Sequence, residues 1–259
     1  MNNIIFLKTE KQIAGIRASS KLAAQTLEYI KPFVKPGIKT LELDNLIGKF
    51  IKDNGATSAT LGYKGDSSKH PLFPRNSCIS LNEVVCHGIA DSTVIKEGDL
   101  VGIDVTTILN GYYGDTAITI PVGEISEDAK HLLKVAQKCL ELGIKQVRPG
   151  AMTGEIGHSI YSYAILQGCT VVEMFCGHGV GLQFHEAPQI CHVAKKHEGV
   201  TIYEGMTFTV EPMLCLKSPD VIMDKVDGWT VRTQDGGLSA QFEHTILVCR
   251  NGYEILTLP

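Results

Sequence analysis

The chain repeats its own punctuation. Comparing "VKPGIKTLELDNLIGKFIKDNGATSATLGYKG" from Val34 with "VRPGAMTGEIGHSIYSYAILQGCTVVEMFCGHG" from Val147, Pro36-Gly37 matches Pro149-Gly150, and Thr40 matches Thr153. Gly55 and Thr57 match Gly168 and Thr170, all at one offset of 113 (Pro36 to Pro149). Leu43, Ile47 and Phe50 match Ile156, Ile160 and Tyr163 at that offset. Two amphipathic helices would align apolar positions by chance, but not proline, glycine and threonine as well, so the register reads as an internal repeat. A helical pattern precedes each copy. Thr9 with Gln12 predicts a capping box ahead of Ile13, Ile16, Leu27 and Ile30, and Ala129, Leu132, Leu133, Ala136 and Leu140 recur at helical spacing. Strand-like runs follow each helix pair: "LVGIDVTTI" and "TAITIPV", then "TFTVEPML" and "SAQFEHTILV". The fold class is therefore α+β. One domain over 1–259 is expected, with pseudo-two-fold halves of roughly 9–120 and 126–250 and helices on one face of a mostly antiparallel sheet.

Acids interrupt these apolar strands. "DLVGIDVTTILNGYYGDTAITI" reads as a hairpin turning at Asn110-Gly111. With that turn, position 104 faces 117, and 115 lies diagonally from 104 on the same face, about 7–8 Å away. Asp104 sits between Ile103 and Val105, where an unpaired carboxylate is costly, and two such charges repel unless a cation lies between them. Glu211 at the end of "TFTVEP" and Glu243 inside "SAQFEHTILV" repeat the anomaly in the second half. A lone strand aspartate more often ends a ladder or pairs with a lysine or arginine; four acids sharing the anomaly favour a metal pair. With His178 as a neutral nitrogen, the donor set favours Mn, Fe, Co or Zn over Mg.

His178 and His185 occur together in "CGHGVGLQFHEAP", seven residues apart, too far for one helical face. This is not a dinucleotide loop: G-H-G-V-G departs from G-x-G-x-x-G, and Pro188 comes too soon for a helix to open on a pyrophosphate. Neither H-E-x-x-H nor G-x-S-x-G occurs. The net charge of −4 leaves no basic footprint for nucleic acid. No apolar run approaches the ~18 residues of a membrane span. The eight cysteines are scattered with no C-x-x-C, as in a reduced protein, and the start lacks a secretory pattern, so cytoplasm is the expected compartment.

At this point "SLNEVVCHGIA", "GIDVTTILNGYYGDTA", "CGHGVGLQFHEAP", "GMTFTVEPM" and "DGWTVRTQDGGLSAQFEHTILV" resemble the signature stretches of the type I methionine aminopeptidase family, in order and over nearly the whole chain. The resemblance implies the pita-bread fold, two pseudo-symmetric halves around two divalent metal ions. By position it makes Asp104, Asp115, His178, Glu211 and Glu243 the ligands, and His87 and His185 the substrate-contacting histidines. The glycines beside His178 are then expected to let the backbone pass close to metal and peptide. A monovalent ion near Asn82, Val84 and Ser239 is an optional addition.

The implied activity removes the initiator methionine from nascent proteins when the second residue is small, with water activated by the metals, Glu211 shuttling the proton and His185 stabilising the oxyanion. Tyr63, Phe73, Cys78, Phe184 and Trp229 map to the methionine pocket, though each would also suit an ordinary core, Trp229 above all. The partner is a peptide or nascent-protein N-terminus; a transient ribosome contact is left open, and a monomer is expected. Two departures from the family concern the mouth of the site. The stretch from Tyr63 to Cys78 is longer than expected of bacterial members, its inserted "GDSSKHPL" expected to rim the entrance, and Leu182-Gln183 stands where an arginine is common. One rival, a proline-specific peptidase of the same fold, needs an added N-terminal domain for which Asp104 comes too early. A non-catalytic binding protein of this fold would be expected to lack ligands, and all five are present.

Overall fold

The structure, a computed structural model, describes residues 4–65 and 71–259. Helix α1 (Glu10–Ile30) opens on the expected capping box: the Gln12 amide donates to the Thr9 hydroxyl, and the Thr9 amide donates to the Gln12 side chain at 2.8 Å. Its apolar stripe, including Ile13, Ile16, Leu27 and Ile30, is buried. It lies directly on the hairpin formed by strands Leu100–Leu109 and Tyr112–Pro121. A Cβ at Gly114 would stand 2.2 Å from the Ser20 backbone nitrogen, so only glycine lets the two backbones meet there.

The repeat has a local structural counterpart. Helices α2 (Thr40–Asp53) and α4 (Thr153–Leu166) both begin on the matched threonine, and both run into a two-residue strand, Thr57–Ser58 and Thr170–Val171. Gly55 and Gly168, just past the helix ends, take φ of 75° and 74°, the left-handed conformation that glycine adopts without strain. Helix α3 (Glu127–Ile144), capped by Ser126, packs on α4. Two large cores result. One gathers Leu43, Ile47, Ile51, Ile103 and Val105 of the first half; the other gathers Leu132, Ala136, Ile156, Ile160 and Phe208 of the second.

The strand pairs are antiparallel, but the described strands divide into four sheets rather than the one expected. The reason is local. Glu211-Pro212 separates Thr207–Val210 from Met213–Cys215, and Phe242-Glu243 separates Ser239–Gln241 from His244–Cys249. Proline cannot donate to a ladder, and the first gap carries one. Both acidic residues thus stand where sheets part, outside the strand ladders.

Candidate metal centre and substrate cleft

The hairpin sets the first two acids. Asn110 and Gly111 both have positive φ, 51° and 81°, as a tight two-residue turn requires. The resulting register puts Asp104 opposite Ala117 and Asp115 opposite Thr106, the diagonal arrangement expected from the sequence. Glu243 is fastened beside them, because its amide donates to the carbonyl of Ala117 at 2.9 Å and its own carbonyl accepts from the Thr116 hydroxyl at 2.8 Å. The Thr245 hydroxyl adds a 2.7 Å bond to the Asp115 carbonyl. Hydrogen bonds between the hairpin and the 241–245 segment thus join the two halves beneath the acids.

His178 and Glu211 close the group. Thr209 couples them: its hydroxyl oxygen accepts from the His178 amide at 3.0 Å and donates to Glu211 Oε1 at 2.6 Å. Glu211 Oε2 accepts from Gln241 Nε2 at 3.2 Å. His178 Nδ1 lies 3.0 Å from the Gly179 carbonyl, a partner that can only accept, so Nδ1 carries the proton and the Nε2 lone pair points inward. Nε2 stands 3.7 Å from Asp115 Oδ2 and 3.6 Å from Glu211 Oε1, beyond hydrogen-bond length. One ligand atom each from Asp115, His178 and Glu243 lie within 4.8 Å of one another.

Burial disfavours ionisation of all four carboxyls, and neighbouring acids add to this at Asp115, Glu211 and Glu243. Burial above all pushes Asp104 up to about 7 and Glu211 up to about 8, with the charge of Asp104 adding to the rise at Glu211. Asp115 and Glu243 are raised well above the ordinary carboxylate range, first by burial and then by the neighbouring acids. Asp104 as a residue keeps partial exposure, yet its Oδ1 is sealed from solvent without a hydrogen-bond partner. An unpartnered buried carboxylate oxygen, three further carboxyls and an inward-facing imidazole lone pair fit a divalent cation. The residues that would hold it are Asp104, Asp115, His178, Glu211 and Glu243.

A pH dependence follows. The four acids have folded pKa values above their unfolded ones, so the folded chain binds more protons, and stability falls as pH rises through their folded values. His87, His178 and His185 are depressed by burial, to about 4, 4 and 2, and give the opposite slope, but only below the unfolded histidine value. Between about pH 6.5 and 8.5 the acids set the slope, and only at higher pH do the buried cysteines, raised by burial, add to it. Metal-stripped protein is therefore expected to lose Tm between about pH 6.5 and 8.5, and saturating divalent metal to abolish most of that loss. Calorimetry in chelator and in metal decides; a flat Tm in chelator would rule out the crowding.

The acids floor a cavity of about 360 Å³ whose walls include Tyr63, Phe73, Cys78, His87, Phe184, His185 and Trp229. The structure thus brings the five acid and histidine candidates for metal, the two further histidines and the five pocket residues to this cleft, while Asn82, Val84 and Ser239 lie outside its lining. Phe73, Cys78 and Trp229 pack as one buried cluster against Tyr63, and Trp229 Nε1 donates to the Pro71 carbonyl at 2.8 Å. His185 Nδ1 lies 2.8 Å from the Tyr63 hydroxyl, and its ring is 4.2 Å from both His178 and Phe184. His87 has φ of 55°, uncommon outside glycine, and meets Phe175 edge-on at 5.3 Å.

A Cβ at Gly177 would stand 2.4 Å from the Thr209 carbonyl oxygen, and one at Gly179 2.3 Å from that of Ala187. These glycines make room for the flanking strands. Leu182 and Gln183 are not among the residues lining the cavity. Of the longer loop, residues 66–70 lie outside the described residues, while its ends, Gly65 and Pro71, abut Trp229. Sequence reasoning missed Thr106, Thr209 and Gln241, which hydrogen-bond the acids. The signal for Thr106 was available, since the hairpin register alone sets it opposite Asp115.

Known proteins carry the same architecture. A model of metallopeptidase family M24 matches residues 14–250. A methionine aminopeptidase of Rickettsia prowazekii is 46% identical over 98% of this chain and 95% of its own length. A crystal structure of that enzyme from the same organism matches with a TM-score of 0.94, covering 98% of this chain and 100% of the other. The Thermotoga maritima methionine aminopeptidase matches equally, at 0.94 with 36% identity, 99% of this chain and 100% of the other covered. With its fold thereby identified as the pita-bread fold and the family model spanning residues 14–250, the chain belongs to metallopeptidase family M24.

Proposed function

We propose that this protein is a methionine aminopeptidase that removes the initiator methionine from nascent proteins when the second residue is small. The observation that carries the reading is a single cleft with five metal-type donors on its floor and an aromatic and thiol wall beside them. The proposed ligands are Asp104, Asp115, His178, Glu211 and Glu243, holding two ions from among Mn, Fe, Co and Zn. When bound, such ions supply Lewis acidity and lower the pKa of water from 15.7 toward ~7.

The chain's own residues do the rest. Glu211, with both oxygens oriented by Thr209 and Gln241, takes the proton of the attacking water and returns it to the leaving amine. The Tyr63 hydroxyl lies 2.8 Å from His185 Nδ1, and in the tautomer in which Nδ1 accepts from it, Nε2–H is free to stabilise the oxyanion as the first peptide carbonyl is attacked. Burial keeps His185 and His87 neutral, so each can donate one hydrogen bond without adding charge. The methionine side chain is assigned to Tyr63, Phe73, Cys78, Phe184 and Trp229, whose rings suit a flexible thioether by ~0.3–1.5 kcal/mol per sulfur–aromatic contact. A monovalent cation is assigned to Asn82, Val84 and Ser239, where the Ser239 hydroxyl is buried without an oxygen or nitrogen partner. No helix among the described residues is long and apolar enough to cross a membrane, and a cytoplasmic monomer acting on emerging N-termini is the consistent assignment.

Peptide turnover tests this. Met-Ala-Ser is expected to be cut efficiently, Leu-Ala-Ser weakly, and Met-Lys-Ser and Lys-Ala-Ser almost not at all. The Leu peptide retains some activity because an apolar pocket separates apolar side chains of similar size by only ~1–3 kcal/mol. Faster cleavage of an Xaa-Pro peptide than of Met-Ala-Ser, or no cleavage with any of the four metals, would overturn the assignment.

A further inference from the structure

The loop that presents Phe184 and His185 is folded around one carboxylate. Glu186 Oε1 accepts from the backbone amides of Leu182 at 2.6 Å and Gln183 at 2.8 Å. Glu186 Oε2 accepts from Lys8 Nζ at 2.6 Å, and the two side chains are 1% and 0% exposed. Lys8 arrives from far away in sequence. The segment ahead of α1 is tied down where its amide donates to the Gly205 carbonyl at 2.8 Å and where Ile5 bridges Ala187. Burial draws the Lys8 pKa down, against which the charge of Glu186 and their hydrogen bond act.

This pair is poorly explained as a source of stability. Apolar side chains of similar volume often replace a buried ion pair at no loss, so its use is better sought in geometry. The geometry is specific: both carboxylate oxygens are used, and the two bound amides immediately precede Phe184 and His185. The Phe184 ring is stacked 4.2 Å from His185, with Tyr113 6.2 Å beyond it, so the path of residues 182 and 183 decides where both rings stand in the cleft. The Leu182-Gln183 departure leaves this untouched, since the contact is through backbone.

We propose that Glu186 is a positioning residue for His185 and Phe184, and that Lys8 is the counter-charge that holds it aimed. The inference rests on the assignment of His185 to the peptide carbonyl. Displacement of a reacting group by about 1 Å can cost ~10²-fold, so Glu186→Ala is expected to lower kcat by about 10–100-fold at unchanged metal affinity, moving KM less. Glu186→Gln sets an amide donor against the Lys8 ammonium and is expected to lose about as much. Lys8→Met/Glu186→Gln removes that conflict while the amide oxygen still accepts from residues 182 and 183, so kcat should recover at least several-fold over the single variant.

The experiment measures kcat, KM and metal affinity of these variants with Met-Ala-Ser, and amide hydrogen exchange at Leu182 and Gln183 alongside. Wild-type exchange at both amides should be slow, and faster in the Glu186 variants. A pair with a structural role alone would move Tm but leave kcat of the folded variants within about threefold of wild type and show no recovery in the double variant; that result overturns the proposal. Should Glu186→Ala fail to fold, the comparison of Glu186→Gln with the double variant still decides it. An inactive wild-type enzyme would overturn the aminopeptidase assignment, whereas the exchange rates judge the clamp separately: amides no slower in wild type than in the Glu186 variants would overturn it.

Discussion

Glu211→Gln is expected to lower kcat on Met-Ala-Ser by about 10²–10⁴-fold at saturating metal, the range for losing a positioned general base. The substitution is nearly isosteric and leaves the surrounding hydrogen bonds in outline. Gln241 can still donate to the side-chain oxygen, and the Glu211 amide can still donate to His192 Nε2. What disappears is an oxygen able to take a proton, together with one negative charge among four crowded acids. Removing that charge also relieves its neighbours, since Glu211 contributes to the raised pKa of Asp115 and Glu243. The metal-free variant should therefore be at least as stable as the wild type above about pH 7 while being far less active. Steady-state kinetics with calorimetric melting tests both halves of the statement. Activity within tenfold of wild type would remove Glu211 from the proton path.

His178→Ala is expected to weaken metal binding by more than the ~10–100-fold typical of altering an outer-shell partner, because it deletes a proposed direct ligand. The single inward lone pair among the carboxylates is lost, and with it the reason for the Gly179 contact that sets the tautomer. His87→Ala and His185→Ala should behave differently. His87 packs against Phe175 and Trp229, and His185 against Phe184 and the Tyr63 hydroxyl, so both belong to the wall rather than the floor. Their variants should bind metal as wild type does and lose kcat or gain KM. Titration calorimetry with Mn or Co, on proteins checked for folding, separates the classes. Equal metal loss in all three would mean that floor and wall have been wrongly divided.

Much of the site was legible in the chain because strand geometry has a period of two and a tight turn sets register. Once Asn110-Gly111 is read as the turn, Asp104 and Asp115 fall on one face without further information, and their placement among Ile103, Val105 and Ile118 marks them as anomalous. The repeat was legible for a similar reason, since matched glycines occupy positions that need positive φ in both halves. Glu211 and Glu243 were recognisable as acids in apolar surroundings, but not as residues standing in gaps between sheets. The break at Glu243 has no proline or glycine to announce it; it depends on the amide of Glu243 pairing with Ala117, 126 positions earlier, instead of continuing the strand.

The tertiary structure alone decided what depends on long-range contact. Nothing local says that the glycines beside His178 yield to the carbonyls of Thr209 and Ala187, because crowding by another strand leaves no mark on the glycine's own sequence. Lys8 reads as an ordinary charge ahead of a helix cap, and Glu186 as one more acid after a histidine, until the fold buries them against each other. Local sequence determined which elements form, which faces they bury and which acids are out of place. The chain's closure determined which charges lose their water together, and so which of them must find a cation or a partner.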